Sequence, residues 1–272
     1  MRVQEVDDDG TRRREDRLAT EEPLEVRLAW HGRDAERVAV TMRTPGHDFE
    51  LGVGLLFAEG VLVPGHVASV AYCTDVQLTP EEEFNVVTVT LDAEPSHLPA
   101  PRSGTVTASA SACGVCGAES VADVIGMTEI RTPPAAGVVI GRDVLAALPE
   151  ALRGGQRVFD STGGLHAAGL FDESGQLLVL REDIGRHNAV DKVVGSRILA
   201  AQPPGAPVLC VSGRIGFEIV QKAVAAGVGV IAAIGAPSSL AVRLAEEAGV
   251  ALVGFLRADR FVVYSGHERI GV

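Results

Sequence analysis

From position 24 the chain alternates. Leu24, Val26 and Leu28 stand between charged residues, and residues 38–42 alternate again after the turn-forming His31-Gly32-Arg33-Asp34. A period of two over two short runs predicts an antiparallel hairpin with one buried face. The period then changes. Phe49, Leu51, Val53, Leu55, Leu56 and Phe57 form a dense apolar run, entered through Thr44-Pro45 and stopped by Gly60. This predicts a mostly buried helix capped by Thr44, with Pro45 at its first position. Strand-like runs at 67–73 and 84–91 complete a ββαββ unit of about 70 residues, near the lower limit for independent stability. It is expected to lean on its neighbour.

Residues 93–104 read as a linker rich in proline, serine and glycine, followed by a Ser/Ala/Gly-rich loop. Residues 118–124 have a helical pattern, as do 143–152, where Pro149 is expected to kink or end the helix. Runs at 162–171 and 176–180, joined by Asp172-Glu173-Ser174-Gly175, predict a second hairpin. The dense polar cluster Arg181-Glu182-Asp183-Ile184-Gly185-Arg186-His187-Asn188 leads into a helix through Val190, Val193, Val194, Ile198 and Leu199. Polar density between two regular elements suggests a site.

The last third reads as strand 208–211, helix 217–226, strand 228–234, helix 237–248 and strand 250–255, with Gly227 and Gly249 closing the helices. This βαβαβ order requires parallel strands, and 261–264 adds an edge strand. Open α/β sheets bind ligands at the carboxyl ends of their strands. Three loops should meet there: Ser212-Gly213-Arg214, Gly235-Ala236-Pro237-Ser238-Ser239 and Leu256-Arg257-Ala258-Asp259-Arg260. Their three arginines, hydroxyls and helix-start amides suit phosphate or another anion.

Composition narrows the class. Of 272 residues, 46 % are apolar and only 4 % aromatic, so the core is mostly aliphatic, as in packed helices and parallel strands. A net charge of −12 argues against a general nucleic-acid binder or a protein held on anionic membranes. Residues 1–22 mix acidic and basic runs with few apolar side chains, which predicts a flexible charged tail. No apolar run resembles a signal peptide or reaches the ~20 residues of a membrane span, so a cytoplasmic protein is expected.

Two of the four cysteines stand together in Cys113-Gly114-Val115-Cys116-Gly117, within the loop after the linker. Such a pair supports a dithiol couple, half of a metal site, or a nucleophilic thiolate beside a second thiol. Zinc lacks its second ligand pair, because Cys73 and Cys210 lie in separate apolar runs and read as structural. A thioredoxin-like couple fits poorly with the mid-chain position, although a disulfide switch stays open. The glycines favour a flexible loop that delivers a thiol, and the helical pattern after Cys116 would favour a thiolate. Gly-x-Ser-x-Gly and the phosphate-binding Gly-x-x-x-x-Gly-Lys-Ser/Thr are absent. His166 and His187 stand in polar, glycine-flanked settings and read equally as a general base, a substrate contact or a structural histidine.

The motifs Met42-Arg43-Thr44-Pro45-Gly46, Phe57-Ala58-Glu59-Gly60, Cys113-Gly114-Val115-Cys116-Gly117, Thr162-Gly163-Gly164-Leu165-His166-Ala167-Ala168, Glu182 through Lys192, Ser212-Gly213-Arg214 and Gly254-Phe255-Leu256-Arg257 together resemble the formate dehydrogenase accessory sulfurtransferase family, FdhD. The resemblance implies an α/β fold with a cytidine deaminase-like three-layer core and mixed sheet, plus a smaller N-terminal α+β domain. The expected division is a tail at 1–22, the N-terminal domain at 23–92, linker and mobile loop at 93–117, and the deaminase-like domain at 118–272.

The resemblance further implies a cytoplasmic homodimer that accepts sulfur from a cysteine desulfurase as a persulfide on Cys113. The sulfur passes to the molybdenum bis(molybdopterin guanine dinucleotide) cofactor before that cofactor enters formate dehydrogenase. Cys116 would assist or resolve the persulfide. The cofactor is a bound substrate, for which a guanine nucleotide is the expected mimic, and no metal is held by the protein's own side chains. Phe255, Leu256, Arg257, Ala258, Asp259 and Arg260 match the family's cofactor-binding segment, and Ser212, Arg214 and His187 complete the expected contact set. The alternatives are a cofactor-binding chaperone without sulfur transfer and a thiol/disulfide redox protein. Where a deaminase carries His-x-Glu, this chain has His166-Ala167-Ala168, so zinc-dependent deamination is not expected.

Overall fold

The computed structural model describes residues 1–8, 10–74, 79, 83–96, 98 and 137–271. The first residues, expected as a flexible tail, instead form an antiparallel hairpin of β1 (Arg2–Asp7) and β2 (Gly10–Glu15). The charge runs explain it. Acidic and basic residues face each other across the strands: Glu5 pairs with Arg12, with Nε and Oε2 2.5 Å apart, and Arg14 Nε lies 3.5 Å from the same carboxylate. Nearly every side chain is exposed, so these pairs contribute little to the whole fold.

β3 (Glu22–Trp30) and β4 (Arg33–Arg43) form the expected hairpin, with Leu24, Val26 and Leu28 fully buried. Thr44 does not cap the helix that follows. Its hydroxyl accepts from Ile184 N (3.1 Å), its own N–H donates to Asp183 Oδ2 (3.2 Å), and its carbonyl accepts from Lys192 Nζ (2.9 Å). With those groups engaged, α1 (Asp48–Ala58) starts later, after His47 in a left-handed conformation at φ 59. Gly60, at φ 78, closes it. β5 (Val67–Tyr72) and β6 (Val86–Leu91) complete a sheet of order β4-β3-β6-β5, in which β6 runs parallel to β3.

The rest of the described chain begins with β7 (Ile140–Gly141), α2 (Arg142–Gly154) and α3 (Arg157–Thr162). Pro149 neither ends nor breaks α2, whose buried Leu145, Leu148 and Leu152 hold it against the sheet. The second hairpin is β8 (His166–Phe171) and β9 (Leu177–Asp183), followed by α4 (Arg186–Leu199). Then come β10 (Val208–Val211), α5 (Phe217–Ala225), β11 (Val230–Ala233), α6 (Ser239–Glu247), β12 (Ala251–Gly254) and β13 (Val262–Ser265). β14 (Ile270–Gly271) pairs in parallel with β7. The six-stranded sheet has the order β13-β12-β11-β10-β8-β9. β10, β11 and β12 are parallel, as the βαβαβ pattern requires, and β13 lies at the edge, antiparallel to β12. β8 joins β10 antiparallel and makes the sheet mixed.

Alternation along these strands divides the core. Leu209, Val211, Ile231, Ala233 and Leu252 pack with α4, α5 and α6 on one face; Val208, Cys210, Val230, Ala232 and Val253 pack with α2 on the other. The first of these cores continues into the N-terminal sheet, because α1 lies between that sheet and α4. Gly52 faces Val26, Val87 and Val89, while Gly54 meets the main chain of α4. Residues 24–91 therefore share a hydrophobic core with residues 166–252. No described helix is long and apolar enough to cross a membrane.

Candidate functional site

The parallel strands end on one sheet edge, where the following loops interlock through their main chains. Gly235 N donates to Gly213 O (3.1 Å), Phe255 N to Gly235 O (3.0 Å) and Leu256 N to Ala233 O (2.9 Å). The approach needs glycine: a β-carbon on Gly235 would lie 2.7 Å from Gly213 O, and one on Gly254 2.8 Å from Pro237 Cδ. Because β8 is antiparallel to β10, its first residue, His166, comes to the same edge, paired with Asp183 at the end of β9. The turn after Asp183 starts α4. The polar run 181–188 thus reaches the edge where the three loops meet.

Asp183 organises this corner. Its fully buried carboxylate accepts from Gly185 N (2.8 Å), Asn188 Nδ2 (3.0 Å) and Thr44 N (3.2 Å), and Lys192 Nζ lies 2.7 Å away. A buried charge is tolerated when it is paired and hydrogen-bonded in this way. One turn further, Asp191 accepts from Lys222 Nζ on α5 at 2.7 and 2.9 Å. His187, 5 % exposed, places Nε2 2.6 Å from Glu218 Oε2 on α5, without hydrogen-bond alignment. Burial and the nearby Arg186 and His187 push the His166 pKa below the ordinary histidine value, against the opposing pull of Asp183. Neutral imidazole is favoured there.

The expected contact residues take distinct places on the edge. Ser212 ties β10 to β8: its N–H donates to Ala167 O (3.0 Å) and its hydroxyl accepts from Ala167 N (2.9 Å). Arg214, Ala258, Asp259 and Arg260 are exposed. Arg257 folds back, donating through Nη1 to the carbonyls of Ile234 (2.8 Å) and Leu256 (2.7 Å). Leu256 is fully buried and anchors the segment, whereas Phe255 is 42 % exposed with φ at 51. A bulky residue in that conformation is unusual and strained. Glu218 was not singled out by the sequence reading; an acidic residue in the first turn of a helix facing this edge was its signal.

Cys113 and Cys116 lie outside the described residues. Burial pushes the Cys210 thiol up to about 12. Cys73 is half-buried and accepts from Arg27 Nη1 at 3.7 Å. Among the described residues, no group of three or more His, Cys, Asp and Glu side chains is arranged to hold a metal ion. A groove of about 470 Å³, lined by Leu177, Leu180, Ser196, Arg197 and Ala200 among others, lies at the opposite end of α4.

The FdhD/NarQ family matches residues 19–271 of this chain. A protein of Nocardia farcinica named sulfur carrier protein FdhD is 47 % identical over 96 % of this chain and 90 % of its own length. Proteins of the same name from Streptomyces coelicolor and Mycobacterium tuberculosis are each 45 % identical, over 100 % and 99 % of this chain and 95 % and 97 % of their own lengths. A crystal structure from Desulfotalea psychrophila, assigned as a formate dehydrogenase accessory protein, superposes with a TM-score of 0.73 at 23 % identity. It covers 99 % of this chain and 97 % of that one.

Proposed function

The chain belongs to the FdhD/NarQ family, and from that premise we propose that it is a sulfur carrier for formate dehydrogenase, acting as a sulfurtransferase. The observation that carries the proposal is the near full-length similarity to proteins named as sulfur carriers, together with the paired Cys113 and Cys116. Two further observations support it. Cys210 is buried with a thiol pKa near 12 and is unsuited to nucleophilic transfer, and Cys73 is half-buried. The strand-end loops also form an edge suited to a large anionic ligand.

In the proposed cycle the Cys113 thiolate attacks the outer sulfur of a cysteine desulfurase persulfide. A sulfur–sulfur bond breaks there, the desulfurase thiolate leaves, and Cys113 holds the persulfide. In its resolving role, the Cys116 thiolate attacks the inner sulfur of Cys113, which closes a disulfide and releases hydrosulfide; a dithiol reductant then returns the disulfide to two thiols by exchange, itself becoming oxidised, before the next loading. The acceptor is the molybdenum bis(molybdopterin guanine dinucleotide) cofactor, bound as substrate before its insertion into formate dehydrogenase. Phe255, Leu256, Arg257, Ala258, Asp259 and Arg260, with Ser212, Arg214 and His187, form the proposed contact set, in which buried Leu256 acts by anchoring. The proposal extends to a cytidine deaminase-like α/β body, a homodimer and a cytoplasmic location.

Mass spectrometry after incubation with a cysteine desulfurase and cysteine is expected to show one added sulfur on Cys113. Cys113→Ala is expected to abolish formate dehydrogenase activation while leaving the far-UV circular dichroism unchanged. Activation surviving in that variant would leave a cofactor chaperone in place of a carrier.

A further inference from the structure

Thr41, Met42 and Thr44, at the end of β4 and in the turn behind it, all bond to one distant segment. Thr41 Oγ1 donates to Asn188 Oδ1 (3.3 Å), and Met42 O accepts from Asn188 Nδ2 (2.7 Å). Thr44 engages three partners: its hydroxyl accepts from Ile184 N, its N–H donates to Asp183 and its carbonyl accepts from Lys192. Five hydrogen bonds thus join residues 41–44 to residues 183–192, across separations of 139 to 148 positions.

The holding segment is itself firmly anchored. Arg43, between Met42 and Thr44, is 1 % exposed and donates to Asp48 (3.1 and 2.9 Å), Glu22 (3.3 Å) and the carbonyl of Phe84 (3.3 Å). Tyr72 on β5 donates to the same Asp48 carboxylate (3.0 Å). A buried guanidinium so fully bonded fixes its own stretch of main chain. Thr44 is therefore presented from the N-terminal sheet by a strand end that has little freedom to shift.

The held segment is the turn from β9 into α4. Asp183 closes β9 opposite His166, and Ile184 belongs to neither the strand nor the helix. The Ile184 N–H finds its acceptor in Thr44 Oγ1. Any residue at position 44 would supply a main-chain N–H and carbonyl, but only a hydroxyl-bearing side chain supplies this acceptor in the same place. Leaving a partly buried amide unmet costs more than the bond itself contributes.

We infer that Thr44 is a positioning residue: through Ile184 and Asp183 it fixes the turn that sets His187 and the start of α4 within the proposed contact set. The N-terminal sheet then takes part in ligand affinity without touching the ligand. This role rests on the sulfur-carrier reading and its contact set. Groups held in place beforehand bind more tightly, because the ligand is spared the cost of ordering them.

Isothermal titration of the full chain with GDP, the expected mimic of the ligand, compares wild type, Thr44→Val and Thr44→Ser, and urea unfolding shows that each is folded under the titration conditions. Thr44→Val keeps the shape and loses the acceptor, and is expected to weaken GDP about tenfold, the scale of one unmet amide. Thr44→Ser restores the hydroxyl and is expected to recover most of that loss. A purely structural threonine would lower the urea midpoint of Thr44→Val and leave its GDP affinity at the wild-type value, and that result would overturn the role. If Thr44→Val does not fold, hydrogen exchange of the wild-type protein decides: coupling is reciprocal, so GDP is expected to slow exchange of the Ile184 amide, and unchanged exchange overturns the role. Sulfur loading of Cys113 is scored on the same samples. Normal loading with equal GDP affinity in all three proteins rejects the role of Thr44 alone. Wild-type protein that loads sulfur and binds no GDP rejects the contact set and the role of Thr44 with it. Thr44-dependent GDP binding without loading rejects the carrier reading alone.

Discussion

Gly54 on α1 lies directly against the main-chain carbonyl of Asp191 on α4, and a β-carbon at Gly54 would collide with that oxygen. The contact is reciprocal, since Gly195 on α4 meets the carbonyl of Glu50 on α1 in the same way. Main chain cannot move aside as a side-chain tip can. Gly54→Ala and Gly195→Ala are each expected to cost at least about 3 kcal/mol, the upper range for overpacking. Urea unfolding checks this, and wild-type midpoints in both variants would show that the helices do not touch.

Asp183 and Lys192 form a buried pair that ties the start of α4 to the Thr44 turn. Removing one partner leaves the other charged and buried, so Asp183→Ala is expected to destabilise by about 3–5 kcal/mol. The double variant Asp183→Ala/Lys192→Met is expected to recover part of that loss. A double variant weaker than Asp183→Ala by the full cost of the second change would contradict the pairing.

Burial alone would raise the Glu50 carboxyl, but hydrogen bonds from Arg181 (2.5 and 2.7 Å) and His47 outweigh it and hold it at about 2 rather than 4.5. A depressed acid stabilises the fold above its unfolded value, and this contribution is lost as pH falls from 4.5 through about 2. Wild-type urea midpoints are expected to decline over that window, with Glu50→Gln less stable at pH 6 and less dependent on acid. Parallel acid profiles in the two proteins would refute the coupling.

Cys210 lies between β11 and β8 in the sheet interior, with its thiol pushed up to about 12 by burial. Iodoacetamide at pH 8 is expected to leave it unmodified in the folded protein and to label it in urea. Labelling of Cys210 at the rate of an exposed thiol, read by peptide mass spectrometry, would show that the sheet opens in the native state.

Several elements were legible because local signals and tertiary demands agreed. Val208, Leu209, Cys210 and Val211 form a strand buried on both faces, and Gly227 and Gly249 mark the helix ends, at φ 79 and 65. Local signals failed where distant partners decided. Thr44 looks like a helix cap, but Ile184 and Asp183, far along the chain, engage its hydroxyl and amide. The β1–β2 hairpin was missed because its apolar content is low and its ion pairs lie across strands rather than along them. Arg214, Arg257 and Arg260 follow strands that end on one edge, but Arg257 turns onto carbonyls of its own sheet.

The position of α1 between two layers also governs the order of assembly. During synthesis the N-terminal sheet and α1 leave the ribosome well before α4, so the surface around Gly54 meets water until the later helix arrives. The early strands can pair, but their helix has only half of its packing. A nascent chain halted before α4 is therefore expected to be open to proteases and chaperones, and release of α4 is the step that closes it.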